Sequence, residues 1–299
     1  MHVLPTHSSA LIGAILLAFS APMPSPMSRG ADAAGTTLDL ASEWIEGHKN
    51  RVRLTAASAP GGSLLAPPGS PVAFVEIELA KGWKTYWRNP GPAGGLPPTF
   101  DLSGSSNLKS AEVLYPVPTV LSDQAGDVIG YKDSVTFPVL LVPSDASKPM
   151  ALKLAAHYGI CETVCVPVSV DLTLTLPPTT LPEAGPEARA SLEQVPRRSA
   201  NLRPSDPRAV ELEGIASVGT SKVRLVATYP GGADEPRLFL DAPDGRFVPL
   251  PTVASIDGER VTFLTDFGDA AALDAVRGLK LTATLASSTG HADHTFVID

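Results

Sequence analysis

The chain has 299 residues, 43% of them hydrophobic, with 30 prolines, 25 glycines and only 6% aromatics. That length suits two ordinary domains, and that apolar share excludes global disorder. A formal net charge of −8, with no run of Lys or Arg, excludes the basic face needed to neutralise nucleic-acid phosphates.

The N-terminus reads as an export signal. The apolar core Ser8–Ala21, "SSALIGAILLAFSA", is too short to span a bilayer comfortably, and Ala31-Asp32-Ala33 offers a small-residue cleavage site. Residues 1–33 are therefore expected to be a signal peptide of bacterial type, although its first region holds His2 and His7 in place of Lys or Arg. No later segment is apolar enough to span a membrane, so the mature chain is expected to be soluble and to work in an oxidising compartment where a disulfide persists.

Residues 37–177 carry β patterning. Arg51–Leu54, Phe74–Leu79 and Asp171–Leu176 alternate apolar and polar with period two, as strands with one buried face do. Turn-forming stretches, Ala59–Pro71 and Asn89–Pro98, separate them. Residues 178–207 are Pro-rich, with one short helical stretch at Glu183–Gln194, and read as a linker. Residues 208–299 return to strands at Lys222–Tyr229, Arg237–Pro243, Arg260–Phe267 and Leu279–Ala286, with Asp244-Gly245 as a hairpin-turn signal. The expected fold class is all-β: an immunoglobulin-like sandwich followed by a second, smaller sandwich.

Both cysteines lie in "HYGICETVCVP", His157–Pro167, with three residues between them. A disulfide needs Cα atoms roughly 4.4–6.8 Å apart. Residues four apart in one extended strand sit about 13 Å from each other, so a straight strand cannot close the bridge. A tight loop, Glu162-Thr163-Val164, with a cysteine on each flank can do so, either between two strands or as a bulge at a sheet edge. Such a bridge removes less unfolded-state entropy than the roughly 3 kcal/mol of a 15-residue loop, and is a poor staple for a chain of this size. Exposed small-loop disulfides tend to be the exchanging kind. Spacing alone leaves an inert bridge equally open. A metal reading is also open, because His157, Cys161 and Cys165 recur every four residues and two thiolates with an imidazole suit Cu(I) or Zn. The strand-and-loop character of the segment weighs against it, so no metal site and no cofactor is assigned, and His157 reads as an ordinary strand residue. His291 and His294 read as solvated surface.

Three ordered blocks carry a family resemblance. "KGWKTYWRNPGPAGGLPPTFDL" (Lys81–Leu102), "LYPVPTVLSDQAGDVIGYKDSVTFPVLL" (Leu114–Leu141) and "YGICETVCVPV" (Tyr158–Val168) together resemble the N-terminal periplasmic domain of DsbD-type thiol:disulfide interchange proteins. The resemblance covers about Leu38 to Leu176. It implies an immunoglobulin-like domain in the periplasm whose one cysteine pair relays reducing equivalents from a membrane-embedded thiol reductase to periplasmic thioredoxin-like proteins. Carried over, Cys165 is the attacking thiol, Cys161 the resolving one, and a capping loop lies within Gln124–Tyr131. The chain departs from the family in two ways. Several members space their cysteines more widely, and full-length members continue into a membrane domain and a thioredoxin-like domain, so a separate reductant is expected here. The resemblance assigns no role to the second sandwich.

Among the remaining residues, Trp83, Tyr86 and Trp87 read as core, with one ring available to line a thiol site. Tyr131 and Tyr158 are expected to shield the cysteine pair. Asn89-Pro90-Gly91 reads as a turn, and Glu162 as the nearest charge, one that disfavours a thiolate. Asp123, Asp127 and Asp133 do not have the spacing of a calcium loop. A reading from another class stays open: an exported β-sandwich binding module with a structural disulfide, copper handling being one role for it. The reduction potential separates the two, since a structural bridge lies below about −300 mV.

Overall fold

Period-two alternation becomes sheet faces directly. In the strand Asn50–Ser58 every second side chain is buried, from Asn50 through Val52, Leu54 and Ala56 to Ser58, and those between are half-buried. The structure is a computed structural model and describes residues 40–123, 126–214 and 221–298. The expected signal peptide lies outside the described residues. No helix among the described residues is long and apolar enough to cross a membrane.

The first sandwich is built from β1 (Ile45–Gly47), β2 (Asn50–Ser58), β3 (Pro71–Leu79), β4 (Lys84–Tyr86), β5 (Thr99–Asp101), β6 (Leu108–Val113), β7 (Thr119–Asp123), β8 (Gly126–Lys132), β9 (Ser134–Pro143), β10 (Met150–Cys161) and β11 (Cys165–Leu176). One sheet runs β1-β2-β3-β9-β6; the other runs β11-β10-β4-β8-β7, with β5 also pairing β10. Their inner faces share a core that includes Val52, Leu54, Val75 and Phe137 from the first sheet and Ile129, Leu152, Leu154 and Ile160 from the second. In β11 the inward Leu172, Leu174 and Leu176 are buried and the residues between them exposed. β11 ends its sheet, which is why Pro167, with no N–H to donate, is tolerated within it.

Residues 178–207, expected to link the sandwiches, are packed. Helix α1 (Pro186–Glu193) starts with proline in its first turn. Its Leu192, with Ala184 just ahead of it, joins Val72 and Phe74 of the first sandwich in one buried cluster. The following strand β12 (Arg197–Arg198) pairs in parallel with the last strand of the chain, β19 (His291–Val297).

The second sandwich adds β13 (Arg208–Gly214), β14 (Lys222–Thr228), β15 (Arg237–Asp241), β16 (Thr252–Asp257), β17 (Arg260–Asp266), the short helix α2 (Ala270–Asp274) and β18 (Lys280–Ala286). Its sheets run β12-β19-β18-β15 and β13-β14-β17-β16. Leu225, Leu240, Phe263 and Leu285 lie in its core. The Asp244-Gly245 turn does form, with Gly245 at φ 72° and its N–H on the Ala242 carbonyl. It does not make a hairpin, because β15 and β16 enter different sheets. The protein is all-β, with immunoglobulin-like sandwich domains, as the alternation implied.

Candidate functional site

The two cysteines close the longest hairpin of the first sandwich. β10 and β11 pair from Met150↔Leu176 to Cys161↔Cys165, so the cysteines are directly opposite on the last rung. They are joined as a disulfide with Cα atoms 4.1 Å apart. Glu162, Thr163 and Val164 form the turn beyond the rung, in line with the loop between two strands that the spacing favours, and all three are exposed. The two sulfurs differ in access. Cys161 is only 6% exposed, whereas Cys165, on the edge strand, is an exposed residue. Val164 beside it is 67% exposed.

Strand parity decides which side chains surround the bridge. Cross-strand partners share a face, and β10 pairs Cys161 with Lys84 and Ile160 with Thr85 of β4. The outer face of this sheet therefore carries Cys161, Gly159, Lys84 and Tyr86. The inner face carries Ile160, Tyr158 and Thr85, and with them Tyr131, the partner of Thr85 on β8. Tyr131 and Tyr158, expected to shield the cysteines, are thus one residue out of phase and lie in the inter-sheet core. The Tyr131 hydroxyl donates to the Pro116 carbonyl at 2.7 Å, and that of Tyr158 to Asn50 Oδ1 at 2.9 Å. Burial pushes both phenols above the ordinary tyrosine range, so both stay protonated donors.

The ring that reaches the sulfur is Tyr86. Its hydroxyl is 3.1 Å from Cys165 Sγ, and the residue is 2% exposed. Two glycines make room for it. A Cβ on Gly95 would sit 2.3 Å from Tyr86 Cε1, and one on Gly159 would be 3.1 Å from Tyr86 Cε2 and 2.8 Å from Leu96 Cβ. A cavity of about 430 Å³ lies beside the bridge, lined by Lys84, Tyr86, Ala93, Gly94, Gly95, Val128, Cys161, Glu162, Thr163 and Cys165.

The covering wall has two parts. The capping loop was expected within Gln124–Tyr131. There β7 and β8 pair with each other, residues 124–125 lie outside the described residues, and Val128 of β8 does line the cavity. The rest of the wall is the segment that follows β4. It is tied along β8 by the Ala93 N–H on the Asp127 carbonyl (3.0 Å) and the Ile129 N–H on the Pro90 carbonyl (2.8 Å). It returns to β10 through the Gly159 N–H on the Leu96 carbonyl at 2.9 Å.

Two opposite charges flank the bridge. Glu162 lies over Gly82, where a Cβ would meet Oε1 at 2.9 Å. Lys84, only 8% exposed, lines the same cavity. Glu162 alone would disfavour a thiolate; a lysine cation in the same cavity and the Tyr86 O–H act in the opposite sense.

The histidines do not gather around the sulfurs. His157 Nδ1 pairs with Ser169 Oγ across the hairpin at 2.9 Å. Among the described residues no group of three or more His, Cys, Asp or Glu is placed to hold a metal ion. His291 and His294, expected at the surface, are partly buried in β19. His294 lies 3.0 Å from Ser199 Oγ, and burial lowers the proton affinity of both imidazoles.

Comparison with known proteins agrees with the resemblance read from the three blocks. Residues 63–177 match the family model described as thiol:disulfide interchange protein DsbD, N-terminal. This segment is therefore of the DsbD N-terminal type. No curated protein matches the chain. Among solved structures, the N-terminal periplasmic domain of ScsB from Proteus mirabilis is similar, with a TM-score of 0.62 and 23% sequence identity over 87% of this chain and 98% of that one. At that identity the likeness establishes a shared fold, and its span carries it into the second sandwich.

Proposed function

We propose that this protein is a periplasmic thiol:disulfide interchange protein. In this reading the Cys161/Cys165 pair carries two electrons from a membrane-embedded thiol reductase to thioredoxin-like oxidoreductases. The observation that carries the reading is the unequal access of the two sulfurs on one hairpin rung, within a segment of the DsbD N-terminal type. Export to the periplasm rests on the leader sequence and on the company of the matched family.

The chemistry follows from the geometry. In the reduced protein the exposed Cys165 thiolate attacks a partner disulfide, and the partner's first sulfur leaves as a thiolate. Cys161, opposite on the same rung, then attacks Cys165 Sγ in the mixed disulfide. The Cys161–Cys165 bond forms, the partner's second sulfur departs, and the partner has gained two electrons. The membrane reductase reverses the steps by attacking Cys165 Sγ. Tyr86 donates its O–H to the Cys165 sulfur and stabilises whichever state places negative charge there. The buried Cys161 is protected from outside attack and serves to resolve.

Replacing Cys161 by Ala removes the resolving thiol and should leave partners covalently held on Cys165. The test is non-reducing isolation of C161A from a periplasmic extract, with mass spectrometry of the adducts. Thioredoxin-like proteins linked through Cys165 are expected. A variant that never carries a linked protein, under conditions that preserve disulfides, overturns the assignment.

A further inference from the structure

One four-residue stretch touches the sulfur at one end and the second sandwich at the other. Tyr86 reaches Cys165 Sγ at 3.1 Å. Next to it the Trp87 ring packs on Phe239 of β15, with centroids 5.7 Å apart. Arg88 then crosses the junction: its Nε lies 3.1 Å from Asp241 Oδ2 and its Nη2 3.6 Å from Asp293 Oδ2, and Nη2 donates to Thr284 Oγ1 at 3.1 Å. Asn89 is 5% exposed, and its Nδ2 donates to the Leu240 carbonyl at 2.8 Å. These four residues lead straight into Ala93–Gly95, the wall of the sulfur cavity.

A site held this way has little freedom of its own. β4 is only three residues long. Its continuation stays bonded to β8, with the Trp87 N–H on the Ile129 carbonyl at 2.9 Å, while the Arg88 and Asn89 side chains take partners from the other domain. Asp241 and Asp293 are half-buried, so the Arg88 ion pairs are less screened than surface pairs.

We infer that the second sandwich positions the thiol site: by gripping Arg88 through Asp241 and Asp293 it holds Tyr86 on the Cys165 sulfur. Arg88 is thus a positioning residue acting through Tyr86. The inference takes its biological purpose from the thiol-exchange reading, but the contact it concerns can be measured without any partner.

The experiment uses the full chain with Cys161→Ala, so that Cys165 is the single thiol, reduced by a phosphine. The rate of Cys165 alkylation by iodoacetamide is followed against pH. Tyr86→Phe removes the donor to the thiolate and should raise the apparent thiol pKa, slowing alkylation near pH 7 by roughly three- to tenfold. Arg88→Met should move the profile in the same direction by about threefold or more, and Arg88→Lys, which keeps a cation, by less. Asp241→Asn separates positioning from charge. Removing a negative charge would by itself lower the thiol pKa, whereas loosening the grip raises it. A rise in both Arg88→Met and Asp241→Asn supports positioning. Arg88→Met superimposing on its parent, opposite shifts in the two variants, or no shift in Tyr86→Phe each overturns it. If Arg88→Met does not fold, the isosteric Asp241→Asn decides by the sign of its shift. Failure of the thiol-exchange reading appears separately, as an unmutated pair that does not exchange with glutathione.

Discussion

The longest antiparallel hairpin of each sandwich ends differently. In the first, β10 and β11 run to a rung of two cysteines, and the turn beyond it, Glu162–Val164, stands open to solvent. In the second, β18 and β19 run from Lys280↔Val297 to Ala286↔His291, and the tip is closed. There the Ser287 N–H donates to the Gly290 carbonyl at 3.0 Å, and Gly290 faces Asp206 so closely that a Cβ would meet Oδ1 at 2.5 Å. Asp206 is itself fully buried and accepts from Arg197 Nη1 at 2.9 Å and from the Arg203 N–H at 2.6 Å. The same ladder thus supports a reactive end or a sealed one. What decides is whether another segment packs over the tip and which side chains occupy the last rung.

The contrast can be broken most sharply at the sulfur. Cys165→Ala should abolish exchange with glutathione altogether, since Cys161 is too buried to take over. Exchange persisting through Cys161, read by mass spectrometry of glutathione adducts, would show that access is not what separates the two thiols.

Glycine substitutions should then separate stability from reactivity. Gly159→Ala drives a methyl into Leu96 and Tyr86, and Gly290→Ala drives one into Asp206. Each should cost about 1–3 kcal/mol in denaturant unfolding, as overpacking does. Only Gly159→Ala should also change the Cys165 alkylation profile. If Gly290→Ala changes it equally, the closed hairpin is not merely structural.

The smallest effect concerns pH. Burial is the largest cause lowering the proton affinity of His291 and His294, so the unfolded chain binds protons more readily than the folded one. The stability these neutral imidazoles confer is present above the ordinary histidine value of about 6.5 and is lost as pH falls through that range towards their folded-state values. Hydrogen-exchange protection factors, which divide out the intrinsic slowing of exchange at lower pH, should therefore fall in β19 between pH 7.5 and 5.5 more than in β10. An equal fall in protection in both strands would remove the distinction.

Much of this was legible in the chain, and the failures have identifiable causes. Period-two alternation in Arg51–Leu54 and Asp171–Leu176 gave real strands, and the reach of a Cys-x3-Cys pair favoured the turn at Glu162–Val164. The tyrosines were misplaced because proximity to a cysteine in sequence says nothing of face. Tyr158 precedes Cys161 by an odd number of residues and so points to the opposite side, whereas Tyr86, on β4, falls in phase only through a register invisible in the sequence. Asn89 read as part of a turn and Arg88 carried no reading, because their partners, Leu240 and Thr284, are 151 and 196 residues away. His291 and His294 looked solvated because the segment covering them, with Ser199 and Pro207, comes from the Pro-rich stretch that read as a linker.

The paired register of β10 and β11 has a consequence for the lifetime of any captured partner. Backbone hydrogen bonds, not the sulfur–sulfur bond, keep Cys161 and Cys165 abreast, so cutting that bond leaves the two side chains as neighbours. Local concentration near a tethered group reaches millimolar or more, and here the tether is a single ladder step. In the proposed exchange, release is therefore built in beside capture, and a conjugate formed at Cys165 should be fleeting for as long as its neighbour keeps its thiol.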